Sequence, residues 1–88
     1  MHAVVARASI ENRESAERTL KEQIVPMVSE LPGFVAGYWT NVGGDQGRSM
    51  VVFESEDAAE GVVQRLRDAP PEFVTFDSIE VAEVVAHA

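Results

Sequence analysis

Two stretches of this chain, Phe34-Val35-Ala36-Gly37-Tyr38-Trp39-Thr40 and Arg48-Ser49-Met50-Val51-Val52-Phe53-Glu54, are apolar on both sides of a two-residue alternation. Successive side chains of a strand point to opposite faces, so Phe34, Ala36 and Tyr38 oppose Val35, Gly37 and Trp39. Met50 and Val52 oppose Val51 and Phe53 in the same way. A sheet built from these strands has two apolar faces, and a single layer of helices covers one of them. A soluble monomer exposes few apolar patches larger than a few hundred Å², so the second face calls for a cover. The natural cover is a second copy, which predicts a homodimer built sheet on sheet.

The remaining elements follow from periodicity and punctuation. Residues 2 to 8, rich in Val and Ala, read as a first strand. From Asn12 to Leu31 the apolar positions Ala16, Leu20, Ile24, Met27, Val28 and Leu31 recur at steps of three and four, the stripe of an amphipathic helix. Asn12 is its expected cap, and Pro26 predicts a kink or a break that divides it. Gly33 stands where the helix should end. The Gly-rich segment Asn41 to Gly47 reads as the loop of an antiparallel hairpin. Ser55 should cap a second helix whose apolar stripe is Ala59, Val62, Val63, Leu66 and Ala69, with Glu56 and Asp57 at its positive end. Residues from about 74 to 86 give a last strand or a bent pair of strands. The order is βαββαβ: an α+β, ferredoxin-like chain with a four-stranded antiparallel sheet and both helices on one face.

At 88 residues the chain holds one domain, spanning 1–88. Its net charge of −8 repels phosphate backbones and anionic membrane surfaces, which argues against nucleic-acid and membrane partners. The absence of cysteine removes disulfides, thiolate nucleophiles and Cys-based metal sites. The start of the chain, with no basic segment and an apolar run of only four residues, has neither a signal peptide nor a span, so a cytoplasmic location is expected.

The helix-to-strand segment Leu31-Pro32-Gly33-Phe34-Val35-Ala36-Gly37-Tyr38-Trp39, the closing Ser78-Ile79-Glu80-Val81-Ala82-Glu83-Val84 and the βαββαβ order resemble the antibiotic-biosynthesis-monooxygenase-like group of dimeric α/β-barrel proteins. The resemblance implies a ligand pocket between the sheet and helices of each protomer. The group's scaffold serves cofactor-free oxygenases, haem degraders, isomerases and decarboxylases, so it marks the fold more sharply than the chemistry. A haem-degrading member would carry a histidine on the second helix as iron ligand, and the segment from Glu56 to Ala69 has none.

Cofactor-free oxidation needs an ionisable, electron-rich substrate and a dry pocket with a donor for the developing anion. Tyr38 and Trp39 are candidate catalytic donors, Arg48 a candidate substrate-binding cation, and His2 a candidate base. Each also has a plainer reading. Trp39 serves as an interface aromatic, Tyr38 packs its ring with its hydroxyl in solvent, Arg48 pairs with a surface acid, and His2 frays with the terminus, as His87 does at the other end. Glu11, Glu14, Glu17 and Glu22 share a polar helix face with Arg13, Arg18 and Lys21, and no metal-ligand spacing occurs.

Two functions therefore stand side by side. One is a cofactor-independent monooxygenase, using neither metal nor cofactor, acting on a small hydrophobic or aromatic, polyketide-like molecule. The other is a non-catalytic homodimeric module that binds a ligand or a protein. An open pocket between helices and sheet with Tyr38 or Arg48 turned inward favours the first; an interior filled by Leu20, Ile24, Val63 and Leu66 favours the second.

Overall fold

The computed structural model describes residues 1–88. Strand β1 (His2–Ile10) leads into α1 (Arg13–Thr19), a π-helical stretch (Leu20–Ile24) and α2 (Val25–Ser29). Strands β2 (Phe34–Gly43) and β3 (Gln46–Phe53), helix α3 (Glu56–Asp68) and strand β4 (Val74–Glu83) complete the chain. The sheet runs in the order β2-β3-β1-β4 with every neighbouring pair antiparallel. This is the ferredoxin-like arrangement that the element order predicts.

Local chemistry sets the element ends. The Asn12 side chain accepts the backbone N–H of Ser15 at 3.0 Å, and Ser55 Oγ accepts that of Ala58 at 3.2 Å, each supplying one orphan donor of a helix start. Gly33 turns the chain out of α2 with φ at +84°, a conformation that side chains with a β carbon resist.

Pro26 does not divide the first helix. The ring has no N–H and crowds the carbonyl four residues back, so a tight α-turn is strained there. The chain answers by widening: Val25 N–H donates to Leu20 O, five residues earlier, and helical backbone continues through Ile24 into α2. The hairpin loop is likewise shorter than expected. Both strands extend into the 41–47 segment, because Gly43 (φ +126°) and Gly44 (φ +56°) let the chain reverse within Gly44 and Asp45. The last segment forms one strand rather than two, with an extra residue, Asp77, at the register shift opposite Arg7 and Ala8. Ala69 leaves the α3 stripe and is exposed at the helix end.

Val4, Val51 and Phe53 of the sheet meet Val28, Ala59, Val62 and Val63 of the helices in one buried cluster. Phe53 is fully buried and meets the Phe34 ring edge-on, with centroids 6.0 Å apart. A bulge at Val35 makes that contact. Phe34 opposes Phe53 and Ala36 opposes Val52, so the extra residue returns Phe34 to the helix-facing side shared by Gly37 and Trp39. Strict alternation had placed Phe34 with Ala36 and Tyr38. The opposite face of the sheet carries Val5, Ala36, Tyr38, Met50 and Val52, with Tyr38 68% and Met50 47% exposed.

Candidate functional site

Between the inner face of the sheet and the helices lies a cavity of about 150 Å³. Its origin is in the residue sizes. Ala6 and Ala8 on β1, Ala16 on α1 and Gly47 on β3 all line it, and each offers at most a methyl group where strands and helices diverge. Larger side chains close the ends: Leu20 and Ile24 from the π-helical stretch, Leu66 from α3, Phe76 from β4 and Trp39 from β2. The widened turn imposed by Pro26 thus forms part of the wall. Of 22 lining residues 14 are hydrophobic, so the space suits an apolar guest. An engineered cavity of comparable volume, about 150 Å³, is known to admit benzene.

Polar groups are few. Trp39 and Ser49 are register partners on β2 and β3, and both line the cavity. Thr40 Oγ1 donates to Arg48 O at 2.8 Å, and Asn41 Oδ1 accepts from Gly43 N at 2.8 Å, so these two are engaged within the hairpin. Glu17 borders the space and pairs with Arg13 at 3.0 Å.

The four residues singled out from sequence are scattered. Trp39 lines the cavity, and its indole rests on Gly37, where a β carbon would come within 2.7 Å of Cη2. Arg48 touches the rim of the cavity, but its strand position is on the outer face opposite Arg7, with Nη1 donating to Gly47 O at 2.9 Å and lying 3.4 Å from Gln46 Oε1. Tyr38 stands on the opposite face of the sheet, away from the cavity. His2 is held in β1 rather than frayed: its Nε2 lies 3.3 Å from Glu56 Oε2 at the start of α3, and its buried Nδ1 has no partner. It is not part of the cavity wall. His87 follows β4 in an exposed tail. Leu20, Ile24 and Leu66 frame the space without filling it, while Val63 is buried in the core cluster.

Sequence reasoning missed Ser49, Ala6 and Ala8. The alanines were legible as strand formers, and the signal in them was volume: small residues repeated at every second position of a central strand leave room.

No protein-family profile and no curated protein matches the sequence. Solved structures do. HapK from Hahella chejuensis superposes with a TM-score of 0.69 at 10% identity, covering 100% of this chain and 96% of that one. MupZ from Pseudomonas fluorescens gives 0.68 at 15% identity over 91% of this chain, which spans 65% of the length of MupZ. The heme-degrader MhuD from Mycobacterium tuberculosis, with two hemes bound in its active site, gives 0.53 at 19% identity, over 97% of this chain and 98% of that one. At these identities the likeness is one of fold, and it agrees with the resemblance drawn from the sequence.

The residues present do not fit a haem. Neither α3 nor the cavity lining carries a histidine, cysteine, methionine or tyrosine to ligate iron. No helix is long and apolar enough to cross a membrane.

Proposed function

From the ferredoxin-like fold of the antibiotic-biosynthesis-monooxygenase-like group, which this chain shares, we propose a homodimeric protein that binds a small hydrophobic or aromatic molecule between its sheet and helices. The observation that carries this reading is the partly open apolar cavity of about 150 Å³ lined by Ala6, Ala8, Leu20, Ile24, Trp39 and Phe76. Native interiors are packed with few voids larger than water, so a space of this size maintained by small residues on a central strand is better explained by a guest than by loose packing. A cytoplasmic setting accords with a cysteine-free chain.

Oxygenation of a bound, electron-rich ring without a cofactor is the activity this scaffold would host. The site offers an apolar lining and the Trp39 and Ser49 donors for that role. Tyr38 and His2 stand outside it, which leaves Glu17, paired with Arg13 at the border, as the one side-chain base of the lining. Ligand binding is therefore the primary reading, and a cofactor-independent monooxygenase acting on a polyketide-like ring the more specific one.

The dimer rests on the outer face. Val5, Ala36, Tyr38, Met50 and Val52 make it apolar, and Arg7 and Arg48 face each other there as register partners with no ion pair. Like charges directly opposite each other are unfavourable, and Glu80 opposes Val5 on the neighbouring strand.

The test is thermal unfolding of the purified protein against phenols, quinones and polyketide-like compounds. A ligand at 100 times its dissociation constant stabilises the fold by about 2.7 kcal/mol, a clear shift for a small domain. A reproducible shift with one chemical class supports the reading, and oxygen uptake with that class then separates enzyme from binder. No shift across the panel contradicts it.

A further inference from the structure

Two of the residues that line the cavity are charged, Glu17 and Arg48, and they are not equivalent. Arg48 belongs by register to the outer face of the sheet, and its Nη1 is tied to Gly47 O at 2.9 Å. Glu17 follows Ala16 on α1 and precedes Leu20 by three residues, and both of those line the same space, so the helix carries a half-buried carboxylate at the cavity border. Its Oε1 accepts from Arg13 Nε at 3.0 Å, and its Oε2 has no hydrogen-bond or ion-pair partner in the protein. The hold of Arg13 is weak for three reasons. The two side chains are 59% and 46% exposed, and an ion pair so wetted contributes little. The cation precedes the acid, the less favourable order for a pair four residues apart. Arg13 also stands in the first turn of α1, where the helix dipole disfavours positive charge.

An apolar space bordered by a loosely held carboxylate selects its guest by charge. The ring of a ligand can leave water for the lining, while a cationic group stays at the border and donates to the carboxylate, so no charge has to be buried unpaired. The chain as a whole carries a net charge of −8, which draws cations toward the site and repels anions. Resting on the ligand-binding reading above, we infer that the cavity takes an aromatic ring bearing a basic amine, with the ring against Ala6, Ala8 and Phe76 and the ammonium group donating to Glu17. Arg13 is then the internal counter-ion that the ligand displaces, and a ring bearing a carboxylate is disfavoured by the same groups. This makes Glu17 the residue that sets the charge of the ligand.

The test compares molecules of one shape and different charge. Benzylamine and 2-phenylethylamine are cations at neutral pH, benzyl alcohol and 2-phenylethanol are their uncharged counterparts, and toluene is the bare ring. Dissociation constants for all five are measured by calorimetry at low ionic strength. At least one amine is expected to bind about tenfold more tightly than its alcohol, the order of one charge-assisted hydrogen bond. Glu17→Gln should bring that ratio close to one, and Arg13→Gln, which removes the competing cation, should raise it. Glu22→Gln is the control: it changes the net charge as Glu17→Gln does, at an exposed position outside the cavity lining, and should leave the ratio nearly unchanged. Toluene binding with no preference for either amine overturns the inference and leaves the ligand-binding reading intact. A ratio that survives in Glu17→Gln, falls equally in Glu22→Gln or falls in Arg13→Gln overturns the role of Glu17. Failure of all five molecules to bind the wild type overturns the ligand-binding reading itself.

Discussion

Trp39 lies with its benzo edge over Gly37, two residues earlier on the same strand, so close that a β carbon at Gly37 would stand 2.7 Å from Cη2 and 2.8 Å from Cζ3. Gly37 is thus the seat of the one indole in the chain, and that seat decides how Trp39 closes the cavity.

Gly37→Ala should therefore lift the indole from the strand. The added methyl meets ring atoms on a side chain that is itself packed against the core cluster, so the cost is that of overpacking, about 1–3 kcal/mol. Urea unfolding and tryptophan emission check it together: the expected outcome is a lower midpoint with an altered emission maximum. An unchanged emission would mean that Trp39 does not rest on Gly37.

Tyr38 and Met50 are opposite each other on the outer face, 68% and 47% exposed in the single chain. Sedimentation at micromolar concentration is expected to give twice the 9.6 kDa chain mass. Met50→Glu, a charge placed in the middle of the apolar face, should yield monomer while the circular dichroism stays that of a folded α+β protein. A wild-type chain that is monomeric and well folded would remove the sheet-on-sheet dimer.

Ser55 starts the helix that buries Ala59, Val62 and Val63. Ser55→Ala removes the acceptor for Ala58 N–H and should lower stability by about 1 kcal/mol, within the usual range for a lost cap. Ser29→Ala, whose hydroxyl merely donates to Pro26 O on an exposed turn, should change stability by less than about 0.5 kcal/mol and serves as the control in the same urea series.

What the sequence revealed and what it hid divide along physical lines. Helix stripes, the Asn12 and Ser55 caps, Gly33 at the helix end and the βαββαβ order rest on local periodicity and on hydrogen bonds within a few residues, and these are written in the order of residues. The outer face could also be read, because Tyr38, Met50 and Val52 are apolar where no helix reaches. The bulges at Val35 and Asp77 could not, since a bulge depends on how two strands share twist and register. Pro26 announced a disturbance but not its form, because widening the turn and breaking the helix both relieve the same clash. The candidate site suffered most. Tyr38 and His2 were selected for their chemistry, yet strand alternation and the start of α3 place them outside the cavity, whereas Ser49 carries no motif and gains meaning only from facing Trp39 across two strands.

Saturable binding of one small aromatic ring per chain is the property from which the functional account stands or falls. Toluene titrated into the wild-type protein by NMR or calorimetry should saturate at one molecule per chain and raise the unfolding temperature. Ala8→Leu, which extends a side chain into the cavity of about 150 Å³, should remain folded and lose that binding. Binding that never saturates in the wild type, or that is identical in the filled variant, would contradict a ligand site between the sheet and the helices.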